Sequence, residues 1–381
     1  MKLVSVDDLM PRMIAAEDVY APGPKNSPII RCGTTLNKAI IATLKQRLVS
    51  SVLISEQISP PQEDSAASQQ IIVSAHGSQI QKPPPLVTPE MRDDAIRTLQ
   101  EIFEMLSAHD NFLDSHIPEI FSHVDEIVAG LVSSLSSDKA SIVNIQNLKS
   151  PDDYIYHHSL SVAVLSVAIG EHMGLENPCL LELCKCALLH DIGKSVVPIE
   201  IIYKPARLSH NELSIMKNHA LAGYQYLLEN IIGNSDIWQG VLHHHERIDG
   251  HGYPYGFKGG EIPIFSRIIA VADVYDALTS NRPYRDSMQP AEALEYIMGG
   301  IDTSFDYNVV KSFVRKLELY PIGSYLLLSN KKIGVVVNNE FQMRPVVQLV
   351  DTGESLDLAT DHSCLNIMIE RILPDEQFIL G

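Results

Sequence analysis

Hydrophobic and polar residues follow different rhythms along this chain, and each change of rhythm marks a part. Up to about Gln57 the apolar runs are short and strand-like, at Lys2 to Val6, Ile29 to Arg31 and Val52 to Ile54. One helix-period run from Asn37 to Arg47 joins them, predicting a small α/β domain over 1–57. Residues 58–88 are crowded with Pro, Ser and Gln, which predicts a linker with one short strand at Gln70 to Ser74. Helical spacing returns at Ile96, Leu99, Ile102, Phe103 and Leu106, behind the start signal Thr88-Pro89, and again from Ile117 to Leu135. These are read as connecting helices over 89–140, with apolar stripes that suit packing within the chain or a homodimer with a second copy.

From about Ser141 to Lys316 the helical period dominates, and helices are predicted at Tyr156 to Met173, Leu180 to Lys194, Ser209 to Glu229, Ile237 to His245, Ile262 to Leu278 and Pro290 to Gly299. Glycine and proline clusters separate them, above all the run Asp249 to Gly260. After Tyr320 the rhythm becomes strand-like at 324–328, 333–337 and 345–350, with Ser-Asn, Asn-Asn and Asp-Thr-Gly turn signals between. The predicted fold class is mostly α: an all-α helical bundle over 141–318, preceded by a small α/β domain and followed by a β-rich module over 319–381.

Composition adds exclusions. The 381 residues, 45% hydrophobic and 20% charged, suffice for two or three ordinary domains. A net charge of -18 argues against binding DNA or RNA polymers, which takes basic surface, so an anionic ligand would have to be held by a local patch or by metal. Cys32, Cys179, Cys184, Cys186 and Cys364 are odd in number and are read as reduced core residues. The N-terminal MKLVSVDDLM has no apolar core of a leader, and no run of about 18 apolar residues occurs. A cytoplasmic protein without membrane insertion is expected.

The stretch LLELCKCALLHDIGKSVVPIE, from Leu180, concentrates the chemistry. Its apolar helix delivers His190 and Asp191 side by side into a dry setting, Gly193 is read as its stop, and Lys194 adds a cation near an anionic substrate. A metal suits the pair, although a His-Asp dipeptide that merely caps a helix is the plainer reading. His158, His219, His244, His245 and Asp273 lie in the same helical region. Any one of these is ordinarily a structural residue, but imidazoles and carboxylates from facing helices together are how bundle cores hold divalent metals. A ligand set without cysteine favours iron or manganese over a structural zinc.

In HHERIDGHGYPYG, from His244 to Gly256, the chain resembles the HD-GYP family, a branch of the HD-domain metal-dependent phosphohydrolases that hydrolyses cyclic di-GMP. The stretches 157–170, 187–212, 216–224, 244–263 and 267–285 carry the resemblance in order. It implies metal ligands at His158, His190, Asp191, His219, His244, His245 and Asp273, with Asp191 bridging two divalent transition-metal ions. A hydroxide shared by those ions would attack phosphorus, giving linear pGpG and, on further cleavage, GMP. Lys194 would stabilise the charged phosphate, and Arg282 and Arg285 of the RPYR run would hold substrate phosphates. The alternative for the two arginines is a surface turn, and for Tyr253 it is packing rather than substrate contact. The N-terminal domain resembles a regulatory domain found ahead of such catalytic domains. Some family members hold a third metal with a glutamate four residues before the first metal histidine. This chain has Tyr154 there, and Asp153 is turned by about 100° from that face, so a binuclear site is expected. A silent cyclic di-GMP sensor and a phosphohydrolase for another nucleotide are the competing functions.

Overall fold

The computed structural model describes about half of residues 2–55, then 71–73, 85–108, 117–136 and 154–380, with 205, 231, 233, 281–286, 342 and 374–377 outside the described residues. Contacts divide the chain into two compact units, Met1–Ile71 and Ile72–Gly381. In the first, β1 (Lys2–Ser5) and β2 (Ser51–Ile54) run antiparallel, with Lys2 opposite Ile54. Alternation along β2 turns Val52 and Ile54 into a small core with Val6, Leu36 and Leu44. Ile30 makes an isolated bridge to Val19 where a strand was expected. Of the run 37–47, residues 40–41 and 44–45 are helical and the remainder lies outside the described residues. A short strand, β3 (Ile71–Val73), falls where Gln70 to Ser74 predicted one.

The second unit opens with α1 (Pro89–Ala108), whose start is fixed by Thr88: its hydroxyl accepts the Met91 amide at 3.3 Å, and proline occupies a helical position whose N–H would be unpaired anyway. In α2 (Ile117–Ser136) Phe121, Val124, Val128, Leu131 and Leu135 form a buried stripe at helical spacing. α3 (Tyr154–His172) is buried on every side from His158 to Gly170, which makes it the central helix of the bundle. Around it lie α4 (Asn177–Leu189), α5 (Ile199–Ile202), α6 (His210–Lys217), α7 (His219–Glu229), α8 (Ser235–His243), α9 (Ile264–Thr279), α10 (Pro290–Gly299) and α11 (Tyr307–Lys316). α3 packs directly on α1, α2, α4, α9 and α11.

Some boundaries differ from expectation for physical reasons. The run Ser209 to Glu229 is two helices broken at Asn218, and a capping box at Ser209 and Glu212 starts the first. α11 was not anticipated; its buried Val309, Val310 and Phe313 share one face of a short helix that is polar elsewhere. The helix expected to run to Lys194 ends at Leu189, ahead of Gly193. Gly193 lies instead in a 3-10 turn, Ile192–Val196, where a Cβ would overlap the His219 carbonyl and the Gly223 amide, so glycine is needed for close approach to α7 rather than as a stop. Cys184, Cys186 and Cys364 are buried and unbridged, whereas Cys179 is exposed. It stands one residue, about 100°, off the stripe of Leu180, Leu183 and Cys184, so it is not a core residue.

After the bundle, β4 (Tyr325–Leu328), β5 (Ile333–Asn338), β6 (Val346–Leu349), β7 (Ser355–Asp357) and β8 (Ile369–Leu373) form an antiparallel sheet in the order β7-β6-β5-β4-β8. Its inward residues Leu326, Leu328, Val336, Val347 and Leu349 join the same apolar cluster as the bundle. Among the described residues, no helix is long and apolar enough to cross a membrane.

Candidate metal centre

Three helix ends deliver imidazoles to one place. His190 follows the last residue of α4, His244 follows the last residue of α8, and His219 lies just past α6. In each case Nδ1 meets a carbonyl three residues back in that helix's final turn: Ala187 at 2.7 Å, Val241 at 2.6 Å and Met216 at 2.7 Å. Carbonyls in a last helical turn lack intrahelical donors, and a carbonyl only accepts. Nδ1 therefore carries the proton and Nε2 turns a lone pair inward. His158, on α3, is steered differently. Its Nδ1 lies 2.7 Å from Asp276 and its Nε2 3.1 Å from Asp273, both on α9.

Asp191 sits at the centre. Its Oδ2 is 3.3 Å from His190 Nε2 and 3.7 Å from His158 Nε2, while its Oδ1 is 3.3 Å from His219 Nε2 and 4.0 Å from His244 Nε2. Each carboxylate oxygen thus faces a different set of imidazoles. Two groups of donors have metal-compatible spacing, Asp191 with His219, His244 and His245, and His158 with His190 and Asp273, the atoms of each lying within 4.8 Å of one another. His219 Nε2 is also 3.3 Å from His244 Nε2 and 3.2 Å from His245 Nε2. For His219 and His244, whose protons sit on Nδ1, two lone pairs so close repel unless a cation lies between them. His190 Nε2 and Asp191 Oδ1 are buried without a hydrogen-bond partner. Divalent ions answer all of these observations, and the donors are nitrogen and oxygen throughout.

The protonation states of His219, His244 and His245 agree. Burial lowers His219, lowers His244 well below its ordinary value with help from the imidazoles around it, and lowers His245 to about 3, again with help from His219. Neutral imidazole is the form that binds metal. Burial also opposes charge on His158, but hydrogen bonds to Asp273 and Asp276 outweigh it and raise the ring to about 9. Burial pushes Asp191 and Asp273 upward, yet the adjoining His190 and Lys194, and His158, hold them well below the usual carboxylate range. The Lys194 ammonium is ion-paired to Asp191 Oδ2.

The loop after α8 is built on a buried acid. Glu246 Oε1 accepts the amides of Tyr255 at 2.8 Å and Gly256 at 3.1 Å, and Oε2 accepts those of Gly256 and Phe257, both at 3.1 Å. Gly252 passes so close to this carboxylate's own backbone that a Cβ would overlap Glu246 and Arg247. The loop turns Tyr253 onto His245, ring centroids 4.7 Å apart and stacked. His243, first of the histidine run, faces away: it stacks on Phe257 at 4.6 Å and its Nε2 lies 3.0 Å from Gln239. Tyr154 stacks on His158 at 5.5 Å. Arg282, Arg285 and Asp153 lie outside the described residues. Asp276 and Glu246 were not singled out from sequence. Asp276 had a signal, a carboxylate one helical turn after Asp273, and Glu246 directly follows His245.

Residues 141–309 match the protein family described as HD domain. Over that stretch the chain is similar to an HD domain. Over 216 residues it is 36% identical to a cyclic di-GMP phosphodiesterase of Pseudomonas aeruginosa, covering 57% of this chain and 52% of that protein. Over 235 residues it is 31% identical to a 3'3'-cGAMP-specific phosphodiesterase of Vibrio cholerae, covering 60% and 53%. The chain spans about half the length of these curated relatives. A solved HDG"Y"P protein of Bdellovibrio bacteriovorus shares the HD fold with a TM-score of 0.50 at 19% identity, over 82% of this chain and 97% of that one. The shared region contains every candidate ligand named above, since His158 to Asp273 fall inside the HD domain.

Proposed function

We propose that this chain is a phosphodiesterase that hydrolyses cyclic di-GMP to linear pGpG and, on a second cleavage, to GMP. The observation that carries the reading is Asp191, one oxygen directed at each of two adjoining imidazole sets. That is the geometry of a carboxylate shared by two ions, and the donors suit iron or manganese. His158, His190 and Asp273 would hold one ion and His219, His244 and His245 the other, with Asp191 common to both. When bound, the pair supplies Lewis acidity and a nucleophile at neutral pH.

The chain's own residues do the rest. The last-turn carbonyls and Asp276 fix the imidazoles in the tautomer that leaves Nε2 free. Lys194, partly buried beside Asp191, offers positive charge as negative charge builds on phosphorus. Tyr253 walls the site over His245, and Glu246 holds that wall in place. Arg282 and Arg285 bind the substrate phosphates in this reading. The apolar stripes of α1 and α2 are used within the chain, so a second copy would have to meet their remaining exposed faces, and a substrate assembled from cellular nucleotides makes the cytoplasm its compartment.

The test is purified protein loaded with manganese or, without oxygen, with iron, and incubated with cyclic di-GMP, 3'3'-cGAMP and a panel of other nucleotides, products being resolved by chromatography. Conversion of cyclic di-GMP to pGpG ahead of the rest is expected. Preference for 3'3'-cGAMP would align the chain with the Vibrio relative instead, and binding without turnover would make it a sensor.

A further inference from the structure

The candidate centre is rich in carboxylates, with Asp191, Asp273 and Asp276 all buried, in a chain whose net charge is -18. Several of the chain's lysines are paired with carboxylates. Lys185 pairs with Asp125, Lys204 with Glu212, Lys316 with Glu171, Lys331 with Glu370, and Lys194 with Asp191. Lys217 differs from these. It is the last residue of α6, two positions before the ligand His219, it is exposed, and among the described residues it has neither a carboxylate nor a hydrogen-bond acceptor as partner. Its Nζ rests instead over the Tyr253 ring, 4.8 Å from the centroid. That ring in turn stacks on His245. A phenol face orients an ammonium without neutralising it. The side chain is thus held at the rim of the site with its charge free.

A cyclic dinucleotide carries two phosphates on one ring. If one of them lies against the metal ligands, the other is left facing the rim, where a chain of this charge favours a further cation in addition to Arg282 and Arg285. We infer that Lys217 is a substrate-binding residue that contacts the second, uncleaved phosphate of a cyclic dinucleotide. The inference rests on the proposed function for its substrate class. Tyr253 sets the direction of the lysine, and Lys217 adds affinity for a two-phosphate ring over a diester with one phosphate.

The experiment compares the full chain, loaded with manganese, with Lys217→Ala and Lys217→Arg. Two substrates are used: cyclic di-GMP, and bis(p-nitrophenyl) phosphate, which has a single phosphate. Metal content is measured for each protein. Lys217→Ala should raise KM for cyclic di-GMP roughly tenfold, several times more than for the single-phosphate diester, with kcat much less affected. Lys217→Arg should recover most of the loss. An unchanged KM for cyclic di-GMP in Lys217→Ala would overturn the inference, and so would an equal rise on both substrates, because the lysine would then act only by propping Tyr253. A parent protein that cleaves bis(p-nitrophenyl) phosphate but no cyclic dinucleotide would defeat the proposed function and this inference with it, and that outcome is already visible without the variants.

Discussion

Glu246→Gln tests whether one buried carboxylate holds the loop that walls the metal centre. The acid makes four contacts to three amides: Oε1 with Tyr255 and Gly256, and Oε2 with Gly256 and Phe257. Glutamine keeps one acceptor oxygen and turns an NH2 group toward amides that are themselves donors. Whichever way the group is flipped, two contacts are lost and N–H faces N–H. At roughly 1.5–3 kcal/mol for a hydrogen bond to a charged group, the nominal loss is about 3–6 kcal/mol. Amides freed by an opening loop are rehydrated, so the lower end, about 3 kcal/mol, is the expected cost to the closed state. That is roughly a hundredfold shift in the opening equilibrium. The perturbation is local, because the loop can open without disturbing α3. Amide hydrogen exchange reads it directly: Tyr255, Gly256 and Phe257 should exchange about a hundredfold faster, with α3 unchanged. Turnover should fall as well, since the stacking of Tyr253 on His245 depends on the closed loop. Unaltered exchange at those three amides would refute the reasoning, as would equal acceleration throughout α3, which would mean global destabilisation.

Other perturbations separate the remaining roles. Asp276→Asn removes the charged partner of His158 Nδ1 and should weaken metal affinity or activity about 10–100-fold, measured by metal titration; an unchanged affinity would remove Asp276 from the site. Asp191→Ala should lose at least one ion together with turnover, and chelation of the parent protein should lower its melting temperature, consistent with about 2.7 kcal/mol for a ligand at a hundred times its Kd. A melting curve indifferent to chelator would contradict that linkage. Arg282→Ala with Arg285→Ala should weaken cyclic di-GMP binding by roughly 1.5–3 kcal/mol for each charge-assisted contact while keeping metal content; unaltered affinity would assign the turn to structure alone. Elemental analysis of protein purified without oxygen should find two transition-metal ions per chain, because an aromatic ring, that of Tyr154, covers His158 where a third ion would need a carboxylate, and Tyr154→Glu should create affinity for that ion. Three tightly held ions in the unaltered chain would overturn the count.

What sequence could and could not supply follows from what each kind of structure depends on. Periodicity is local, so the helix from Pro290 to Gly299 and the strands near 325, 333 and 346 are legible where they occur. The end of α4 at Leu189 was not, because the glycine expected to stop it answers to α7, a partner distant in sequence. The seven candidate ligands announce themselves by residue type and by the order of their motifs. Asp276 and Glu246 escape because their roles are defined by what they hold, an imidazole Nδ1 on α3 and three amides 9 to 11 residues ahead. A carboxylate reads the same in sequence whether it faces water, a metal or a backbone.

The steering of the imidazoles explains why ligands recur at helix ends. The last carbonyls of a helix need donors, and an imidazole just beyond them provides one while directing its second nitrogen away from the helix. Ala187, Met216 and Val241 use this solution in α4, α6 and α8. The same ends carry the negative poles of α4, α6 and α8, a potential suited to cations that the N-terminus of α7, which begins at His219, only partly offsets. Mid-helix His158 has no such carbonyl within reach, since those of α3 are engaged in its own helical bonds, and a carboxylate on α9 substitutes. His245 is the exception on the other side. It lies one residue too far for the last turn of α8, and the ring of Tyr253 holds it by stacking, with the Asp273 carboxylate 3.9 Å from its Nδ1. The five imidazoles are thus fixed by three kinds of contact, and only that of His245 depends on a loop, itself latched by Glu246. A loop-borne restraint opens more readily than a helical one. In a site so built, His245 is the ligand whose grip loosens first, and Glu246 sets how easily that happens.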